Sequence, residues 1–203
     1  MTIVAVVRPG WTEFDEQHRL IGSLDLPLNA RGEAQLAPLI ERLKSLPKPP
    51  DAIVCGTAQP AKGTAEAIAK ALDLTVRESE EFANLNLGLW QSSTIEDIGR
   101  RMSRIFHQWP EAPETVCPSE GEPWEFAVAR VQRALKKPLR KFDALVIVAS
   151  EPLASLVSSL LTSEPPDLTT AFSEEPRDPI IEVFESSRDG EYIRQSNTDE
   201  TSS

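Results

Sequence analysis

Arg8 stands at the end of a short apolar run, Ile3–Val7, and is followed by Pro9 and Gly10. An arginine leaving a buried strand is suited to meet an anion, because its planar guanidinium makes charge-assisted, two-pronged hydrogen bonds to phosphate or carboxylate. Two further apolar runs, Ala52–Cys55 and Ala144–Ala149, deliver Cys55 and the pair Ser150-Glu151. Cys55 and Ser150 are the candidate nucleophiles. A thiol attacks only when its pKa is depressed, and neither an adjacent histidine nor a basic neighbourhood is there to depress that of Cys55, which reads as a buried, inert thiol. A serine needs a base, and a carboxylate next in sequence, such as Glu151, ordinarily points elsewhere. Arg8 therefore has two readings: a ligand-binding group together with Asp15 and Glu151, or half of an ion pair with one of those carboxylates.

His18 and His107 are the only histidines, which excludes a His-rich metal site and any chemistry needing two imidazoles. Both read as surface or half-buried residues. Cys117 lies in a Pro-rich stretch far from Cys55, so no disulfide framework and no CxxC metal pair can form, and a reducing cytosol is the expected compartment. No metal or cofactor is expected.

The elements that position these groups follow from spacing. Ile3–Val7, Ala52–Cys55 and Ala144–Ala149 are continuous apolar runs, the signature of strands buried on both faces. Leu36, Leu39, Ile40 and Leu43 recur at helical spacing after a candidate N-cap, Asn29, and Pro47, Pro49 and Pro50 end that helix. Pro60–Leu72 gives a second helix. Ser93-Thr94-Ile95-Glu96 reads as a capping box opening a third, Thr94–His107. Four prolines between Pro110 and Pro123 predict a loop, followed by a helix to about Lys136. Leu153–Thr162 is helical, and Ile180–Glu185 with Tyr192–Gln195 form a hairpin around Asp189-Gly190. Residues 1–195 make one domain, and the polar tail 196–203 is expected to be disordered.

The stretch Val4-Ala-Val-Val-Arg8-Pro9-Gly10, then Arg19-Leu-Ile-Gly22, then Asp25-Leu-Pro-Leu-Asn29-Ala-Arg-Gly32, resembles the histidine phosphatase superfamily, which includes the phosphoglycerate mutases. The likeness continues through Thr64-Ala65-x-x-Ile68-Ala69, Gly88-Leu-Trp90, and Gly121-Glu122-x-x-Glu125 with Arg130. It implies a three-layer α/β/α sandwich, with a mostly parallel sheet and an antiparallel edge. It also implies one phosphate pocket at the carboxyl ends of the strands, gathering Arg8, Pro9, Pro60, Asn84 and Ser150.

Of those positions only Arg8 keeps the family residue. Pro9 replaces the histidine nucleophile and Ser150 the second histidine, while Pro60 replaces the second phosphate-binding arginine and Asn84 the acid/base glutamate. Asp15 stands for the family's asparagine, and Ile21 for a polar residue before Gly22. Proline has no nucleophilic atom, so covalent phosphoryl transfer is not expected, and neither is a phosphorylated small-molecule ligand. Trp11 and Phe14 follow the Arg8-Pro9-Gly10 turn; Trp11 either plugs the disused pocket or anchors a partner.

The 203 residues carry a formal charge of −11, which opposes nucleic acid and anionic membranes as partners. Glu78–Glu81 and Glu174-Glu175 read as solvated faces. Together these readings predict a catalytically inactive binding, regulatory or structural module with a protein partner. The alternative is a weak phosphatase with displaced catalytic groups.

Overall fold

The three apolar runs become β1 (Ile3–Val7), β2 (Ala52–Cys55) and β4 (Ala144–Val148), each buried along its whole length. A computed structural model describes residues 1–109, 112–168, 181–187 and 191–195. With β3 (Val76–Glu78), β5 (Ile181–Ser186) and β6 (Tyr192–Arg194), these strands form one six-stranded sheet in the order β3-β2-β4-β1-β5-β6. The pairs β1–β4, β2–β4 and β2–β3 are parallel. β5 runs antiparallel to β1 and to β6, which makes the expected antiparallel edge. Ile180, the Asp189-Gly190 turn, Glu174-Glu175 and 196–203 lie outside the described residues.

Alternation along β1 splits the core in two. Ala5 and Val7 face helices α2 (Ala30–Lys44) and α3 (Ala61–Leu72), packing with Leu39, Leu43, Ala65 and Ile68. Val4 and Val6 face α6 (Trp124–Lys141), α7 (Leu153–Thr162) and the segment from Phe82 to Val116. Helices on both faces are what allow the central strands to be apolar throughout.

Asn29 caps α2 as its side-chain type predicts, its Oδ1 accepting from Gly32 N at 2.8 Å. Gly32 must be glycine, because a Cβ there would overlap the Trp11 backbone. This close approach sets the start of α2 against the turn leaving β1, and Thr64 Oγ1 of α3 steadies the same turn by accepting from Gly10 N at 3.2 Å.

Several boundaries differ from the sequence reading. The third helix starts one residue later than the predicted capping box: Thr94, not Ser93, is the N-cap, and its Oγ1 accepts from Asp97 N at 3.1 Å. It then breaks at Met102 into α4 (Ile95–Arg101) and α5 (Ser103–Gln108). α6 runs through Pro138 to Lys141, beyond the expected end near Lys136. Two short elements carry too little periodicity to be foreseen: α1 (Glu13–Glu16) and the three-residue β3.

Candidate active-site rim

The carboxyl ends of β1 and β4 bring Arg8, Ser150 and Glu151 to one edge of the sheet. In open α/β sheets this is where ligands bind. Here the edge is occupied by the protein's own side chains. Arg8 Nε donates to Glu151 Oε1 at 2.5 Å, and Arg8 Nη1 to Glu182 Oε2 at 3.1 Å. Glu182 sits on β5 opposite Val6 of β1, so the antiparallel edge delivers the second carboxylate. It also accepts from Ser158 Oγ of α7 at 2.8 Å and pairs with Arg194 of β6 at 3.2 Å. Burial works against the charge on Arg8, but Glu151 and Glu182 outweigh it and leave the guanidinium pKa above its ordinary value. Arg8 is an ion-pair residue, and both of its partners are carboxylates.

Glu151 also joins Arg8 to the position of the expected acid/base group. Asn84 Nδ2 donates to the Glu151 carbonyl at 2.7 Å and to the Gly22 carbonyl at 2.9 Å, while its Oδ1 accepts from Leu153 N at 3.3 Å. All of these bonds go to main chain. Arg130 anchors the segment carrying Asn84 by donating to the carbonyls of Glu81 and Ala83 at 2.8 and 2.7 Å, and it pairs with Glu122 through Nε and Nη2.

Among the described residues, Arg8, Asn84 and Ser150, which the resemblance gathers into one pocket, line two separate small cavities. One cavity of about 30 Å³ is lined by residues including Ser23, Gln59, Asn84 and Ser150. A second, of about 40 Å³, is lined by Arg8, Ser155, Ser158, Glu182 and Arg194 among others. Arg8 thus opens on a different space from Asn84 and Ser150. Each volume holds roughly two waters, an order of magnitude less than a typical ligand site. Pro60 is buried and Pro9 half-buried; neither offers a donor or a charge.

The remaining candidates lie away from this rim. Asp15 does not meet Arg8. It closes a capping box on α1, its Oδ2 accepting from Thr12 N at 2.6 Å and Thr12 Oγ1 at 2.7 Å. Burial pushes its carboxyl pKa up, against the hydrogen bonds from Thr12. Cys55 belongs to the core under α2 and α3, and burial first, then Glu78 and Glu66, push its thiol up to about 12. Such a thiol is no nucleophile at neutral pH. Cys117 is exposed. Trp11 is buried with the Arg31 guanidinium 3.8 Å from its ring centre, so of its two readings the exposed partner anchor does not hold. Trp11 also lines neither small cavity. His18 is exposed; the side chain of His107 lies outside the described residues. Glu80 and Glu81 of the acidic run bond Thr57 and Arg133, and Glu78 pairs with Lys62.

Sequence reasoning missed Glu182, Ser158 and Arg194. The available signal was one acid inside the apolar strand Ile181-Glu182-Val183-Phe184, since a carboxylate there requires a cation within reach.

The histidine phosphatase superfamily (branch 1) profile matches residues 4–190. The chain belongs to this superfamily. Among its relatives, an uncharacterized phosphatase of Bacillus subtilis, PhoE, is 35% identical over 101 residues, half of this chain and about half of that protein's length. Phosphoserine phosphatase 1 of Hydrogenobacter thermophilus is 26% identical over 79% of this chain and 77% of its own. In structure, a mycobacterial glucosyl-3-phosphoglycerate phosphatase complexed with VO3 superposes with a TM-score of 0.82 at 21% identity, covering 96% of this chain and 98% of that one. A histidine-to-alanine mutant of phosphoserine phosphatase from Entamoeba histolytica, in complex with phosphoserine, gives a TM-score of 0.76 at 22% identity, over 97% and 96% of the two chains. These likenesses confirm the phosphoglycerate mutase-like architecture. Among the described residues no helix is long and apolar enough to cross a membrane.

Proposed function

We propose that this chain is a catalytically inactive member of the superfamily, acting as a binding, regulatory or structural module for a protein partner. The observation that carries the reading is the engagement of Arg8 by Glu151 and Glu182; the two rim cavities lined by described residues, of about 40 and 30 Å³, are far below the size of a substrate. Missing histidines alone would carry less. The Entamoeba mutant holds phosphoserine after a histidine is replaced, so binding can outlive one such loss. Here the anion-binding group is itself engaged, and Pro9, Pro60, Asn84 and Ser150 supply no positive charge, with the Ser150 hydroxyl the one nucleophilic atom among these four side chains. Two free thiols favour a reducing compartment, the cytoplasm.

The second reading, a weak phosphatase with displaced groups, rests on relatives named as phosphatases. Cys55 cannot serve it, which leaves a water activated by Glu151 or Asp15. Hydrolysis of a generic aryl phosphate by purified protein, across about pH 5 to 8 where imidazole and carboxylate catalysts titrate, separates the two. Wild type and Pro9→His are both expected at the level of a heat-killed control. Turnover above it that falls in Glu151→Ala or Asp15→Asn would overturn the inactive reading.

A further inference from the structure

α6 is basic in a strongly acidic chain. From Arg130 to Lys141 it carries six cations and no acid, while the whole protein has a formal charge of −11. Two of the six are used internally: Arg130 pairs with Glu122 and Arg133 with Glu81. The other four, Lys136, Lys137, Arg140 and Lys141, are exposed and make no ion pair among the described residues. They line a shallow groove of about 320 Å³. The nearest acid in sequence, Asp143, is taken by Lys48 at 2.8 Å. Arg77 of the edge strand β3 extends the patch, its guanidinium 5.1 Å from the Phe142 ring centre, with Lys141 Nζ 5.3 Å from the same ring.

Helix-terminal electrostatics accounts for only part of this arrangement. Cations favour the last turn, and the effect fades within it; Lys136 and Lys137 lie before that turn. Lys136 with Arg140, and Lys137 with Lys141, are like-charge i,i+4 pairs that oppose the helix. An external anion would offset that repulsion.

We propose that the end of α6 is a docking site for a short acidic segment of a partner protein. The inference goes beyond the inactive reading and does not depend on it, because the groove lies on α6, away from the rim. The four side chains span two turns at most, about 8 Å along the axis, which matches about three residues of extended peptide. A longer polyanion would overrun the patch onto a surface more acidic than the chain's average, so a nucleic acid is disfavoured by the same charge that favours a brief acidic run.

Fluorescence anisotropy with a labelled oligoglutamate peptide and its glutamine counterpart tests this on the full chain at about 50 mM salt, where screening still permits the contact. Wild type is expected to bind the glutamate peptide and not the glutamine one. Lys137→Glu/Arg140→Glu is expected to weaken binding at least about tenfold, and Lys44→Glu on α2 to leave it unchanged. Thermal melts check folding; should the reversal unfold the protein, Lys137→Gln/Arg140→Gln replaces it. Absence of binding, equal binding of the glutamine peptide, or binding indifferent to the α6 variants would overturn the proposal. Tighter binding of a single-stranded oligonucleotide of equal charge would overturn it in favour of a nucleic-acid surface. Aryl phosphatase activity, present or absent, bears only on the inactive reading.

Discussion

The α2/α3 face of the sheet and the rim at its carboxyl end use the same three central strands but are held by different means. Under α2 and α3 the fit is one of shape: small residues, an Asn29 cap and a backbone approach at Gly32 that admits no side chain. At the rim the fit is one of charge, with Arg8 and Glu151 joined across 143 positions and Asn84 and Glu151 across 67. The two regions are therefore held by separate sets of residues. A family can lose its reactive groups at the rim while the layer beneath stays unchanged, provided that what replaces them satisfies the polar atoms left behind.

The largest expected effect tests whether the shape-held layer is sealed. With its thiol pushed up to about 12, Cys55 exposes roughly a thousandth of the usual thiolate near pH 8.5. Alkylation of the native protein with iodoacetamide should label Cys117 and spare Cys55 until denaturant is added. Rapid labelling of Cys55, located by peptide mapping, would mean that the layer opens. The next effect is Gly32→Ala. A Cβ there overlaps the Trp11 carbonyl oxygen, backbone that cannot step aside, so a loss of about 3 kcal/mol is expected in urea unfolding. A loss no larger than that of a rim variant would erase the contrast.

Glu151→Ala should come third. The Arg8 and Glu151 side chains are 13% and 17% exposed, and removing one partner of such a pair leaves a partly buried charge. Because Glu182 still pairs with Arg8, the expected loss is about 2 kcal/mol, below the range for a fully buried pair. The same variant frees one edge of the guanidinium. Orthovanadate should raise its melting temperature and leave wild type unmoved. If vanadate stabilises wild type equally, the rim is not closed by Glu151.

These contrasts also explain how much was legible in the sequence. The apolar runs, the Asn29 cap and the helical spacing of Leu36 to Leu43 are local signals, and the structure follows them. The superfamily architecture was legible for the same reason, since its motifs sit on turns and caps. The rim was legible only as a set of substitutions. Arg8 as half of an ion pair was readable as a type of contact, but choosing Glu151 over Asp15 was not, because it depends on two strands 143 positions apart being neighbours. Glu182 was missed because β5 pairs antiparallel with β1 and presents its acid from the far side. The break of the third helix at Met102 was missed because nothing in Ile98-Gly99-Arg100-Arg101-Met102 forbids continuing it.

The smallest effect concerns Asp15, which the family resemblance predicts at the rim and whose carboxylate works as a cap on α1. Its folded pKa is raised, so the folded state holds the proton more tightly than the unfolded chain does. Its contribution to stability is then greatest below the ordinary carboxylate range and declines as pH rises through the folded value. Asparagine keeps an acceptor for Thr12 N and does not titrate. Asp15→Asn should therefore lie within about 0.5 kcal/mol of wild type at neutral pH, equal or slightly more stable, and should lack the decline between acidic and neutral pH. Urea midpoints for both proteins at two pH values would show it. A variant weaker by the same amount at both would mean that the cap needs a carboxyl group whatever its charge, and Asp15 would then belong with the shape-held layer rather than with the charge-held rim.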